Sequence, residues 1–427
     1  MKIIWLCNIM LPIISENEGE KVSNVGGWMT GLLNNLIKNP EVNLYILFPN
    51  NKKYKGKINN ISYRSFSKNE NNMHYFLNII KEELPDIIHI FGSEHMHALS
   101  MVNACEALGY LDKTVVCIQG IISECAKHFE IGLPRKIVKK KTLRDFIKGD
   151  SIYNQIKEYE KRGTYEIQTL IKARNVIGRT KFDYLCTKTI NNNVKYYHCD
   201  ETLRKTFYGN KWKLEKCLRH SIFVSQCNYS YKGFHVMIKA LYEIKKRYPD
   251  VRLVTTGRKI EYDKVISRVK MTSYEVYLRE QIAKYDLGEN VIFLGQLNEA
   301  QMCEEYLKCN VFVSPSFIEN SSNSVGEAML LGVPIVASFV GGIPSIISDR
   351  VEGILYPADD VTLLAANICQ LFENDKIAKN YAEAARKRAL ITHDPQKNID
   401  VTLSIYKELC GEETNDENST YCAECTL

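Results

Sequence analysis

No stretch of the 427 residues approaches the apolar length of a membrane span. No Gly/Ser-rich linker separates two halves, and no G-x-G-x-x-G fingerprint follows a strand. The formal net charge is only +6, too mild and too dispersed to argue for nucleic acid. The 14 cysteines, among them Cys7, Cys105, Cys117, Cys186, Cys227 and Cys303, sit mostly inside apolar runs. They lack the spacing of a secreted disulfide framework and read as buried thiols of a reducing cytosol. Cys422 and Cys425 form one Cys-x-x-Cys, without the second pair a zinc site needs. Residues 1–14 have no small-residue cleavage site and run into Ser15-Glu16-Asn17-Glu18, so a first buried strand is expected rather than a signal peptide.

What is present is an ordinary globular composition, 45% hydrophobic and 25% charged, in a chain long enough for two domains of about 200 residues. Short apolar runs at 2–7, 43–48, 86–91, 114–118 and 175–179 alternate with helical patterns around 75–84, 96–108 and 153–172. The second half repeats the scheme with runs at 221–225, 252–256, 291–294, 310–315, 334–338 and 353–357. Such alternation predicts an α/β chain with doubly wound parallel sheets.

The densest chemistry lies in residues 310–360. A strand at 310–315 leads into a polar loop at 316–323 and an amphipathic helix at 324–331 that stops at Gly332. A second strand at 334–338 is followed by the turn Gly341-Gly342 and by Pro344 at a helix start. Glu319 and Glu327 frame the first loop, with Glu327 expected in the first helical turn. Amides 322–325 at the helix start suit an anion. The same residues also fit a plain capping box, with Ser324 as N-cap and Glu327 returning the bond.

The full string, Glu, seven residues, Glu, then Ala-Met, Gly-Val-Pro and Gly-Gly-Ile-Pro, resembles the donor-binding region of family 4 glycosyltransferases of the GT-B fold. The resemblance implies two Rossmann-like, doubly wound domains facing across a cleft. It implies that Glu327 holds the donor ribose, that Glu319 contacts the transferred sugar, and that amides around Asn323, Ser324 and Val325 meet sugar and pyrophosphate. Leu294, ending the 291–294 run, is expected beside the nucleotide base. After the 221–225 strand, family members carry Arg and Lys six residues apart on the donor diphosphate. Lys232 matches the lysine, and Gln226 stands at the arginine position. Lys232 and Glu319 are thus the catalytic candidates, with a solvated helix-start lysine as the bland alternative for Lys232.

Earlier in the chain the signals are fainter. Gly26-Gly27 opens a helix after the first strand; the resemblance sets such a pair against the donor pyrophosphate, and a simple helix start explains it equally well. His89 is expected to face the core. His95 and His97 lack a third partner for a metal, and the resemblance puts a histidine of this region near the donor sugar. Gln119 occupies a position where family members carry histidine. Glutamine cannot serve as a base near neutral pH, but front-face retaining transfer lets the leaving phosphate take the acceptor proton. Residues 133–148 hold seven Lys/Arg against one acid, Asp145, with Leu143, Phe146 and Ile147 on one helical face. Docking on an anionic membrane and a solvated charged helix are equally open there.

The expected domains are 1–200 for the acceptor, with helix 398–412 crossing back onto it, 201–397 for the donor, and a disordered tail at 413–427. No Asp-x-Asp triplet occurs, so no metal or other cofactor is expected beyond a nucleotide-diphosphate sugar as substrate. The implied partners are that donor and a glycan or lipid-linked acceptor of bacterial-type surface polysaccharide, at the cytosolic face of a membrane. A non-catalytic nucleotide-sugar binding subunit and a GT-B-shaped epimerase stay open as rivals.

Overall fold

The computed structural model describes residues 1–22, 26–68, 70–258 and 270–412. The tail 413–427, with Cys422 and Cys425, lies outside the described residues. The described chain forms two compact units, one of 1–123, 161–203 and 392–412, the other of 124–160 and 204–391. The segment 124–160, expected with the first domain, packs instead with the second unit.

The first unit is built on an eight-stranded sheet. Its strands are β1 (Lys2–Leu6), β2 (Asn43–Pro49), β3 (Lys55–Ile58), β4 (Ile61–Phe66), β5 (Ile87–Phe91), β6 (Thr114–Cys117), β7 (Asn175–Gly178) and β8 (Lys195–His198). Their order is β3-β4-β2-β1-β5-β6-β7-β8, parallel except where β3 meets β4. Central strands such as β1 (KIIWL) and β5 (IIHIF) are apolar on both faces because helices cover both faces. Chain order reverses between β1 and β5, and a sheet of this kind opens a crevice at that switch point. The helix Pro395–Leu409 closes this unit's core: Tyr406 Oη accepts from Trp5 Nε1 at 3.1 Å and lies 2.6 Å from His89 Nδ1. His89 is therefore the core residue its strand position suggested, and burial holds its imidazole down to about 3.

The second unit carries six parallel strands: β9 (Ser221–Val224), β10 (Arg252–Thr255), β11 (Val291–Phe293), β12 (Val311–Ser314), β13 (Ile335–Ser338) and β14 (Ile354–Tyr356). Their order is β11-β10-β9-β12-β13-β14, so the switch point falls between β9 and β12. The loops leaving those two strands carry Gln226 to Lys232 and Ser316 to Asn323. Topology alone thus brings together two sequence stretches about ninety residues apart.

Several expectations need correction. β8 extends the first sheet beyond the strands expected there, and β3 pairs antiparallel with β4 at the other edge. The basic segment is two short helices, Arg135–Lys139 and Leu143–Lys148, and not one. A helix, Pro12–Asn17, not expected from the sequence, follows β1.

Candidate functional site

In the second unit the helix after β12 runs Asn323–Leu331, with Ser322 as N-cap in extended backbone. The Ser324/Glu327 capping box is therefore not formed. Ser322 Oγ lies 3.1 Å from Ser324 Oγ, and Glu327 is the fifth helical residue, past the first turn. The first-turn amides of Asn323, Ser324 and Val325 precede any intrahelical acceptor, which gives the helix start its affinity for anions. Tyr306 Oη donates to the Ser324 carbonyl at 3.0 Å and pins this start to the helix Glu299–Lys308.

Glu327 is buried, 4% exposed, and its Oε1 accepts from Arg204 Nε at 2.7 Å. Burial raises the Glu327 carboxyl above the usual carboxylate range, while the Arg204 hydrogen bond and charge pull it back. The Arg204 guanidinium lies 4.8 Å from the Phe207 ring centre, and Phe207 packs edge-on against Tyr306. Arg204 was not singled out in the sequence, because nothing local links it to a partner 123 positions away.

Lys232 ends a 3-10 turn, Ser230–Lys232, and Gly233 follows in left-handed backbone at φ 70°. A Cβ at Gly233 would overlap the Pro315 carbonyl oxygen, so this close approach of two loops requires glycine. It places Lys232 Nζ 2.7 Å from Glu319 Oε1, which also accepts from Ser316 Oγ at 2.7 Å. Burial lowers the Lys232 ammonium's pKa, yet the Glu319 charge and hydrogen bond outweigh burial and leave it raised. The two catalytic candidates are thus a partly buried ion pair, where the sequence had offered an exposed lysine as the alternative. Segment 124–160 buttresses this corner: Ser230 Oγ donates to the Phe129 carbonyl at 2.6 Å, and Phe129 stacks edge-on with Tyr231 and Tyr159.

The glycine pair also reaches the site. Gly342 N–H donates to the Glu319 carbonyl at 2.9 Å, and Gly341 has φ 49° with no room for a Cβ beside that same oxygen. Gly341→Ala is expected to destabilise the chain by about 2 kcal/mol and to lower Tm by about 4–8 °C. An unchanged melting temperature in a thermal scan would show that the turn does not hold Glu319.

The remaining donor-side candidates are placed less fully. Gln226 lies half-buried just past β9. Leu294 follows β11, but its N–H already donates to the Thr255 carbonyl at 3.0 Å, so only its carbonyl is left for a base. Arg258, past the end of β10, presents a cation whose Nη1 lies 3.3 Å from Glu275.

The acceptor-side candidates and the Gly26-Gly27 pair belong to the first unit. Gly26 caps the helix Gly27–Leu36 in left-handed backbone and leaves room there for Ile9 and Met29. At the β1/β5 switch point His97 is buried, its Nε2 lies 2.8 Å from Asn8 Oδ1, and burial holds it down to about 3. His95 caps the helix Met96–Leu108, and its ring stacks on that of His97 at 5.0 Å. Glu94, missed in the sequence, takes His95 Nε2 at 3.2 Å and Arg162 Nη2 at 3.1 Å on one oxygen. Burial would raise its carboxyl, but these two partners hold it down to about 2. Glu166 accepts from the Ile122 and Ser123 amides and from Ser123 Oγ, yet burial still pushes it up to about 7. Gln119 donates to Cys117 Sγ at 3.4 Å. Among the described residues no three His, Cys, Asp or Glu side chains gather as a metal set would.

A family model described as Glycosyl transferases group 1 matches residues 207–388. A phosphatidyl-myo-inositol mannosyltransferase of Mycolicibacterium smegmatis is 29% identical over 171 residues, 40% of this chain and 40% of that protein. The matched part is therefore well under two thirds of that relative. Among solved structures, a glycosyltransferase from Rickettsia africae covers 96% of this chain and 99% of its own, with TM-score 0.65 and 17% identity. Anabaena Alr3699/HepE in complex with UDP covers 96% and 100%, with TM-score 0.64 and 16% identity. Residues 207–388, less than half of the chain, thus resemble the glycosyl transferases group 1, and the chain shares the GT-B fold of these structures.

Proposed function

We propose that the chain is a retaining glycosyltransferase that moves a sugar from a nucleotide-diphosphate sugar to a glycan or lipid-linked acceptor. The observation that carries this reading is the pairing of Lys232 with Glu319 and of Arg204 with Glu327 around the loop and helix start that follow β12. In this reading the second oxygen of Glu327 accepts from ribose hydroxyls, Glu319 accepts from the transferred sugar, and Lys232 with amides 323–325 neutralises the diphosphate. The bond from the anomeric carbon to the diphosphate breaks, and the acceptor oxygen bonds to the same face of that carbon. The departing phosphate takes the acceptor proton, so Gln119 has no proton to accept. Lys232 stabilises the charge that grows on the leaving group. We assign diphosphate binding to Lys232 and amides without a metal, as the missing Asp-x-Asp triplet suggests. HepE, solved with UDP, supports a nucleotide donor of this kind. The proposed setting is surface-polysaccharide assembly at the cytosolic face of a membrane.

A thermal-shift panel of UDP, GDP, ADP and their sugars tests the donor site. A ligand at a hundred times its Kd stabilises by about 2.7 kcal/mol. One nucleotide family should shift the wild type and fail to shift Glu327→Ala. No shift with any nucleotide would refute the assignment.

A further inference from the structure

The helix Leu143–Lys148 turns an apolar face to solvent. Leu143, Phe146 and Ile147 lie at i, i+3 and i+4, on one face, and are 58%, 80% and 66% exposed. The helix is not loose. Thr142 caps it in a complete capping box with Asp145, and Asp145 Oδ2 also accepts from the Ser273 amide at 2.9 Å. Thr142 Oγ1 donates to the Met271 carbonyl at 2.7 Å. Ile137 and Val138 of the preceding helix are buried, so both short helices are seated on the second unit while the three large apolar side chains are held outward. Scattered exposed apolar residues are ordinary, but three on one anchored turn make a built patch.

Charge says what covers it. Lys140 pairs with Glu280 and Arg144 with Asp150. Arg135, Lys136, Lys139, Lys141 and Lys148 stand exposed and, among the described residues, form no ion pair. The only acid of the segment, Asp145, is buried and committed to the cap. An exposed apolar turn in a segment rich in unpaired cations matches a surface that offers acyl chains just beneath anionic headgroups. Among the described residues no helix is long and apolar enough to cross a membrane, so the contact would be made by this face lying on the bilayer.

We infer that residues 135–148 dock the second unit on an anionic lipid surface, with Leu143, Phe146 and Ile147 entering the headgroup boundary and the five unpaired basic residues of the same segment meeting the headgroups. This goes beyond sugar transfer and stands on observations independent of the donor site.

The test is co-sedimentation of the full chain with vesicles of phosphatidylcholine alone or mixed with phosphatidylglycerol. Wild type should bind the mixed vesicles, bind phosphatidylcholine weakly, and be released by salt. Phe146→Asp should weaken binding about tenfold or more, and Lys139→Gln with Lys141→Gln should weaken it about fivefold per residue. All these side chains are exposed, and unchanged melting temperatures confirm that the variants fold. Absence of binding to mixed vesicles overturns the inference, as does binding that Phe146→Asp leaves intact. If wild type instead self-associates through this face, light scattering shows a dimer that Phe146→Asp dissociates, and the lipid assignment falls.

Discussion

Arg204→Met is expected to destabilise the second unit by about 3 kcal/mol, because it leaves the Glu327 carboxylate buried with no cation beside it. Methionine keeps the packing of the arginine stem over Phe207, so the loss isolates the charge. The pH dependence identifies the cause. Burial already raises the Glu327 carboxyl, and removing Arg204 takes away the groups that oppose it. A carboxyl raised in the folded state binds its proton more tightly than in the unfolded chain. Its contribution is then fully present at acid pH and lost as pH climbs through the folded value. The variant's deficit against wild type should therefore be widest at alkaline pH and narrow as pH falls through the raised folded value. Denaturant melts across that fall in pH measure it. Adding Glu327→Gln should recover stability, since a neutral amide costs less to bury. A deficit flat with pH, or a double variant no more stable than Arg204→Met, would show that the pair does not matter as described. Nucleotide affinity gives a second reading, because an unpaired Glu327 that takes up a proton is a poorer acceptor for ribose hydroxyls.

Lys232→Ala is expected to lower kcat by about 10²–10³-fold, the usual loss when one preorganised electrostatic donor at a reacting centre is removed. Gln226 makes the site more dependent on this lysine, since the neutral amide adds no second cation in that loop. Glu319 keeps its bond from Ser316 but loses its cation, so the variant should melt below wild type, and turnover is compared well below its Tm. Turnover should fall far more than KM rises, because charge on the departing diphosphate grows only towards the transition state. Nucleotide release followed in time, with donor and acceptor both varied, checks this. Activity within about tenfold of wild type would remove Lys232 from the chemistry. Donor binding without turnover in the wild type itself would favour a binding subunit.

Most of the architecture was legible because its signals are local. Parallel strands covered on both faces read as short apolar runs, and Gly332, at φ 70°, ends its helix where glycine ends helices. Gly341-Gly342 was legible as a turn. What failed was local pattern at the edges. β3 (KGKI) carries no apolar run, since an edge strand with alternating exposure has little to bury. β8 (KYYH) is short and sits at the other edge. The helix Pro12–Asn17 begins after Leu11, which has no side chain to cap it. The Ser324/Glu327 box misled for a different reason. Ser322 takes the N-cap two residues earlier, and Glu327 bonds to Arg204 instead of back to the helix start.

The sequence by itself determined the strand–loop–helix rhythm, the glycines at tight turns, and two glutamates eight positions apart beside a helix start. These depend on neighbours within a few residues. Only the tertiary structure decided which cation answers which glutamate, that 124–160 buttresses the second unit, and that the apolar face of 143–148 stays outside. Those outcomes depend on partners 87 and 123 positions apart, and on a sheet whose order reverses between β9 and β12. An ion pair across such a distance leaves no local pattern, because its energy comes from burial and proximity that exist only once the sheet has formed.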